Sequence, residues 1–377
     1  MSDNRIQRTL EEKLSAKLFK GKTIVLIGAR QVGKTTLVRD ILKDREFLFL
    51  DGDDPLIRQQ LTTPNTKQIE TLLGSSKIVF IDEAQRIENI GITAKIIHDQ
   101  FKQVQLILSG SSAFELRNTT HEPLTGRKFE YFLYPISYEE YELSVGYLDG
   151  IRDLENRLIY GFYPDVINHR GEERAILNEI TQSYLFKDIL AFASVKKPEV
   201  LEKILQALAF QLGSEVSYNE LAQLTGVDKN TVASYIRLLE LACIIYPLHS
   251  FSRNLRNEIK TNRKIYFYDN GIRNALIQNF NPFEFRNDIG ALWENFLITE
   301  RLKRNHYHRA FANTFFWRTK QQQEIDYLEE ADGRISAFEF KWNPAAKVKK
   351  PAVFLETYPA DFKVISKDNF RDFVGMF

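Results

Sequence analysis

Cysteine is nearly absent: Cys243 stands alone among 377 residues. A single thiol excludes an intrachain disulfide framework and a cysteine-built metal centre. Its neighbours Ala242 and Ile244 mark it as a small buried hydrophobe. An excess of one charge is also missing. Lys and Arg number 51 and Asp and Glu 50, a formal net charge of +1, so any surface for nucleic acid has to be a local patch. Long apolar runs are missing too. The opening MSDNRIQRTLEEKLSAKLF has no apolar signal core, and nothing later approaches the length of a membrane span. These absences predict a cytoplasmic protein with no membrane partner. No internal repeat or low-complexity stretch is visible. With 44% hydrophobic and 27% charged residues the composition is globular, and 377 residues exceed one ordinary core.

Short apolar runs alternate with helical patterns over residues 1–137. The runs are Thr23–Ile27, Phe47–Leu50, Ile78–Ile81 and Leu106–Leu108; the helical stretches are Thr35–Leu42, one around Pro55–Leu73, and Ala94–Phe101. This alternation predicts an α/β fold with a parallel sheet and ligands at the strand carboxyl ends. A fifth strand around Phe129–Leu133 completes the sheet. Ahead of it, Ile6, Leu10, Leu14 and Leu18 recur at helical spacing and predict an amphipathic helix. Residues 138–198 are helical in pattern, a lid or linker punctuated by Gly161-Phe162-Tyr163-Pro164. A separate unit over 199–252 and a mixed α/β region over 253–377 follow.

The strand Thr23–Ile27 runs into Gly28-Ala29-Arg30-Gln31-Val32-Gly33-Lys34-Thr35, followed by a helix, with Thr36 the next candidate of the loop. That is G-x-x-x-x-G-K-T between a strand and a helix, the P-loop context. Glycines let the backbone wrap phosphates, so that N–H groups and the helix N-terminus face negative charge. Lys34 is expected to reach the β- and γ-phosphates and Thr35 to give its hydroxyl to magnesium. Ile78–Ile81 ends in Asp82 and Glu83. Asp82 is the expected magnesium holder and Glu83 the general base for the attacking water, which favours ATP hydrolysis over mere sensing. The fourth run ends in Ser109-Gly110-Ser111-Ser112. Ser109 is a candidate to orient the water or the γ-phosphate, or is part of a serine-rich turn. Arg127 is a candidate phosphate contact, in cis or from a neighbouring copy, in competition with Arg30 and Arg117.

GARQVGKTT at 28–36, the Ile-Asp-Glu-Ala-Gln run at 81–85, LSGSS at 108–112 and GFYPDV at 161–166 together resemble one family across essentially the whole chain. It is the bacterial and archaeal AAA+ superfamily P-loop ATPases with a winged-helix middle domain and a C-terminal restriction-endonuclease-like domain. The resemblance implies ATP and Mg2+ as ligands and makes self-assembly plausible.

Ser217–Leu224, Thr225-Gly226-Val227 and Asp228–Ala242 read as helix, turn and helix, with Asp228 a good N-cap. Ile244-Ile245-Tyr246 then reads as the first wing strand. A second helix of this kind can enter a DNA major groove, and Lys229, Asn230, Ser234 and Arg237 are its candidate outward residues. Arg253, Arg256, Lys260, Arg263 and Lys264 form a basic wing in which Glu258 is the only acid. Protein packing is the alternative use of such a unit.

Near the C-terminus, Gln323–Tyr327 and Ala337–Lys341 alternate polar and apolar residues around Asp332-Gly333, a two-residue hairpin signal. With Ala331 opposite Arg334, the register carries Asp326 opposite Glu339 and Glu324 opposite Lys341. Opposed carboxylates destabilise a sheet unless something positive lies between them. A second divalent metal, Mg2+ or Mn2+, held by Asp326 and Glu339 would serve, and Lys341 could steady a hydroxide. The D…E-x-K pattern resembles restriction-endonuclease-like nucleases, with Glu294 similar to the additional acid of those folds. Glu-Ile-Asp stands where they carry Pro-Asp. A solvated polar face is the structural alternative.

Two functional readings follow. One is an ATP-dependent machine acting on DNA through the winged helix and a metal-dependent nuclease domain. The other is an ATP-driven signalling switch whose later domains bind protein partners and cut nothing. A nucleotide-binding regulator of transcription fits less well, because Glu83 implies turnover.

Overall fold

Five strands build the first sheet: β1 (Thr23–Ile27), β2 (Leu48–Asp51), β3 (Ile78–Asp82), β4 (Gln105–Gly110) and β5 (Lys128–Phe132). The computed structural model describes residues 5–110, 123–185, 197–252, 263–319, 321 and 323–375. The strands lie in the order β2-β3-β4-β1-β5, all parallel. β1, β3 and β4 are buried at every position, as strands covered on both faces must be, and this explains their unbroken apolar sequence. β1 lies between β4 and β5, so the chain reverses its direction of progress across the sheet there. At that point the loop after β1 opens at the carboxyl edge.

The helices obey their local signals. The stretch around Pro55–Leu73 is two helices, Pro55–Thr62 and Thr66–Leu73, rather than one. Pro64 cannot continue the first, and Asn65 with Gln68 forms a capping box that starts the second. The amphipathic N-terminal pattern yields only a short helix, Leu10–Ser15, with Leu10 and Leu14 buried.

The chain divides into two compact units, Met1–Ile136 with Leu241–Cys243, and Ser137–Glu240 with Ile244–Phe377. The second unit holds a seven-stranded mixed sheet ordered β12-β11-β10-β9-β7-β8-β6. Its strands are β6 (Glu215–Val216), β7 (Ile245–Ser250), β8 (Arg263–Phe267), β9 (Asn313–Arg318), β10 (Glu324–Ala331), β11 (Arg334–Phe340) and β12 (Ala360–Ile365). Spacing predicts separate bodies on either side of residues 198 and 252. Instead the helix–turn–helix Tyr218–Thr225 and Lys229–Leu241 is followed by strands that share one sheet with the C-terminal hairpin, because β7 pairs parallel to β9 through His249↔Phe315. One cluster on this sheet comprises Phe251, Ile325, Leu328, Ile335, Ala337 and Phe354. The 19-residue helix Ile289–Tyr307 buries Trp293 and Phe296 and packs on β8 and β11.

Residues 138–179 are helical, beginning with a capping box between Ser137 and Glu140. The Gly161-Phe162-Tyr163-Pro164 run is a buried joint. Asp269 accepts the Phe162 N–H at 2.6 Å, and a Cβ at Gly161 (φ +73°) would lie 1.9 Å from the same carboxylate. Only glycine permits that approach. Among the described residues, no helix is long and apolar enough to cross a membrane.

Candidate functional site: a phosphate-binding loop and a lysine-centred acid cluster

The loop after β1 is shaped by close approach and left-handed backbone. A Cβ at Gly28 would stand 2.2 Å from the Leu133 carbonyl oxygen, and Gln31 and Gly33 take φ of +62° and +92°. Ala29 and Val32 are buried, Arg30 and Gln31 are half-buried, and Thr36 is exposed on the helix Lys34–Leu42 that follows. Lys34 is 4% exposed. Its Nζ donates to the carbonyls of Gly28 and Ala29 at 3.0 and 2.9 Å. Burial holds its ammonium below the usual lysine range, with Glu83 and Asp82 pulling the other way.

From the same helix, Thr35 Oγ1 donates to Asp82 Oδ2 at 2.5 Å. Ser109, wholly buried at the end of β4, donates to Asp82 Oδ1, which also accepts the Glu83 N–H at 3.0 Å. Three strands thus deliver Lys34, Thr35, Asp82 and Ser109 to one edge. Glu83 adjoins them with φ +45°, a conformation uncommon outside glycine, and Gln85 Nε2 donates to its Oε2 at 2.6 Å. A hydroxyl and a carboxylate side by side are the oxygen donors that Mg2+ takes. The glycine-lined loop and helix N-terminus suit phosphate. The residues present therefore fit both groups.

Arg127 is placed elsewhere. Its carbonyl accepts the N–H of Thr23 at the amino end of β1, and its guanidinium pairs with Asp99 at 2.9 Å. With β1 rising ~3.3 Å per residue, a whole strand separates Arg127 from Lys34. The expected contact in cis is corrected accordingly: Arg127 cannot touch a phosphate in its own loop. Arg117, Ser111 and Ser112 lie outside the described residues.

In the second unit the hairpin forms as its turn residues dictate. Asp332 and Gly333 take φ of +51° and +75°, and β10 pairs antiparallel with β11 from Ala331↔Arg334 to Tyr327↔Phe338. Beyond that point the backbone ladder stops, because the Asp326 carboxylate accepts the Phe340 N–H at 2.8 Å. Glu324 does not pair with Lys341. It bonds Lys264 at 2.6 Å, while Lys341 bonds Glu339 at 2.7 Å.

Lys264 is the decisive departure. Placed by sequence in a basic wing, it is instead 1% exposed on β8, and its Nζ also lies 3.0 Å from Glu294. Burial opposes its charge, but Glu294, Asp326 and Glu324 outweigh burial and raise it above the usual lysine range. Burial, with Glu294 and Glu339 adding to it, pushes the Asp326 carboxyl well up. Burial also raises Glu339. The Lys264 ammonium supplies positive charge beside these acids, and nothing among the described residues supports the second divalent metal expected there. Among the described residues, no group of three or more His, Cys, Asp or Glu is arranged to hold a metal ion.

Lys229, Asn230, Ser234 and Arg237 are all exposed on the helix Lys229–Leu241, with Arg237 bonded to Glu240 at 2.9 Å. Arg263 is turned onto Tyr218, 2.8 Å from its hydroxyl. Arg253, Arg256 and Lys260 lie outside the described residues. Sequence reasoning also missed Arg8, which is buried against the nucleotide loop. An arginine in a charged N-terminal segment carries no signal of burial.

Comparison with known proteins matches three stretches of the chain. Residues 20–142 match the model of an AAA domain, residues 151–282 a domain of unknown function (DUF8612) and residues 289–372 another (DUF4143). An uncharacterized protein of Mycobacterium tuberculosis is 26% identical over 340 residues, 89% of this chain and 74% of its own length. One of Haemophilus influenzae is 27% identical over 305 residues, 75% of this chain and 74% of its own length. Among solved structures, the Walker-type ATPase of Pyrococcus abyssi is similar with a TM-score of 0.52 at 15% identity, covering 73% of this chain and 97% of that one. The first unit has the fold of a P-loop ATPase.

Proposed function

We propose that the first unit binds ATP with Mg2+ and hydrolyses it. The observation that carries this reading is the Thr35 hydroxyl on the Asp82 carboxylate at 2.5 Å, beside a buried lysine bonded to its own loop. Gly28, Ala29, Arg30, Gln31, Val32, Gly33 and Thr36 form the cradle, whose backbone N–H groups face the phosphates. Lys34 exchanges its carbonyl partners for β- and γ-phosphate oxygens. Thr35 and Asp82 would hold Mg2+, which would supply neutralisation of the phosphate charge. Glu83 takes the proton of the attacking water, and Ser109 holds the Asp82 carboxylate in place. An arginine from a neighbouring copy, Arg127 among the candidates, is compatible with this arrangement.

Substituting Glu83→Gln tests it, because the isostere keeps the shape and loses the base. The variant should bind MgATP as tightly as wild type and release phosphate at least about a hundredfold more slowly. Equal turnover in both would remove Glu83 from the role and leave hydrolysis without a base.

For the second unit, the lysine-centred acid cluster supports a binding module over a metal-dependent nuclease, and so an ATP-driven switch. The exposed face Lys229, Asn230, Ser234 and Arg237, on the second helix of a winged-helix-like unit, is the proposed contact surface, for DNA or for a protein partner. Binding that weakens steeply with salt and falls in Lys229→Ala/Arg237→Ala would assign it to DNA; salt-insensitive binding would assign it to protein. Supercoiled DNA incubated with Mn2+ should remain intact. Cleavage abolished by Asp326→Ala would overturn the switch reading.

A further inference from the structure

One side-chain contact to the nucleotide loop comes from a segment that the ATPase reading does not use. Arg8 is 7% exposed. Its NH1 donates to the Val32 carbonyl at 2.8 Å and its NH2 to the Tyr134 carbonyl at 2.6 Å. Val32 immediately precedes Gly33 in the loop, and Tyr134 follows the end of β5. The same stretch after β5 also meets the start of the loop, where Leu133 donates its N–H to Ile27 at 2.7 Å and its carbonyl crowds Gly28. One guanidinium therefore ties the far end of the loop to the wall that already holds its near end.

The tie has a consequence for ligand binding. The peptide between Val32 and Gly33 is planar and trans, so its C=O and N–H point in opposite directions. Fixing the Val32 carbonyl on Arg8 turns the Gly33 N–H away from the guanidinium and keeps the carbonyl's negative end from turning inward. The left-handed φ of +92° at Gly33 is then held from outside rather than left to a glycine's freedom. The N-terminal segment is itself fastened. Arg5 pairs with Asp40 on the helix after the loop at 2.8 Å and with Glu11 at 2.6 Å, and Leu10 and Leu14 are buried. A planar fork suits two carbonyls at once; a lysine ammonium at the end of a flexible stem can engage them less well.

We propose that Arg8 is a positioning residue of the nucleotide loop, presetting the Gly33 amide for a phosphate oxygen. The proposal rests on the ATPase reading above. Because the loop amides contact phosphate in both the ground state and the transition state, losing the preset acts mainly on KM.

The test measures steady-state ATP turnover and the equilibrium affinity for MgADP in wild type, Arg8→Lys, Arg8→Ala and Leu14→Ala. Thermal unfolding is followed in each. Arg8→Ala should raise KM for ATP and Kd for MgADP about tenfold or more, with kcat changed less than about threefold, and Arg8→Lys should recover part of the loss. Leu14→Ala should lower the unfolding midpoint and leave KM unchanged. If Arg8→Ala keeps the wild-type KM and Kd, or if Leu14→Ala raises KM equally, Arg8 merely staples the N-terminal segment and the proposal is overturned. A wild type that neither binds MgADP nor turns over ATP overturns the ATPase reading and Arg8 with it. A wild type that does both, beside equally tight Arg8 variants, overturns Arg8 alone.

Discussion

A buried lysine from each unit, Lys34 in the first and Lys264 in the second, faces the opposite electrostatic situation. Lys34 is bonded to two neutral carbonyls, and burial leaves its charge undersupplied. Lys264 lies within bonding distance of two carboxylates, with Asp326 close by, and its charge is oversupplied. A buried cation whose bonds go only to carbonyls is a site that an anionic ligand can complete; a buried cation bonded to carboxylates already has its counter-charge. The difference separates a ligand-binding loop from a structural ion cluster, although both are buried lysines with acids nearby.

The same substitution, Lys→Met, breaks the two sites in opposite ways. Lys34→Met should reduce ATP turnover by at least about a hundredfold, while the stability of the ligand-free protein stays within about 1 kcal/mol. Lys264→Met should leave the loop's chemistry untouched and destabilise the second unit by about 3–5 kcal/mol, the usual result of stranding one side of a buried ion pair. Denaturant unfolding of both variants checks the contrast; equal losses would erase the distinction.

A smaller effect sharpens it. The Asp326 carboxyl is held above its ordinary value by burial, then by Glu294 and Glu339. The folded chain therefore binds that proton more tightly than the unfolded one, and stability falls as pH rises from the ordinary value through the raised one. Asp326→Asn removes this cost. It should raise the second unit's midpoint at pH 7 by roughly 2–4 °C, the shift expected for about 1 kcal/mol, with the gain fading as the pH is lowered toward 4. A gain independent of pH would mean that the acids are not in conflict. Smallest of all, Arg237→Ala removes an ion pair whose arginine side chain is 66% exposed, and should change stability by no more than about 0.5 kcal/mol.

The loop was legible because its chemistry is local. Glycine spacing, the lysine and threonine at the helix start, and an apolar strand ending in Asp82 each dictate their own geometry, as Asp332-Gly333 dictates a hairpin. Lys264 was illegible because its role depends on pairing between distant segments. It shares a strand face with Tyr266, whose hydroxyl donates to Glu294 at 2.5 Å, yet beside Arg263 in sequence it looks like one more surface base. The parallel pairing of β7 with β9 merges segments that composition separates, so the expected boundary at 252 has no counterpart in the sheet. Arg8 was hidden for the same reason: it bonds the backbone carbonyls of Val32 and Tyr134, which no side-chain pattern reveals.

The measurement that bears most directly on the central claim is phosphate release from ATP by the wild-type chain, with Mg2+ and with the metal chelated, beside Lys34→Met. Sustained release that requires Mg2+ and disappears in Lys34→Met is the predicted result. Release that persists in Lys34→Met, or none from a wild type at any Mg2+ concentration, would contradict the account.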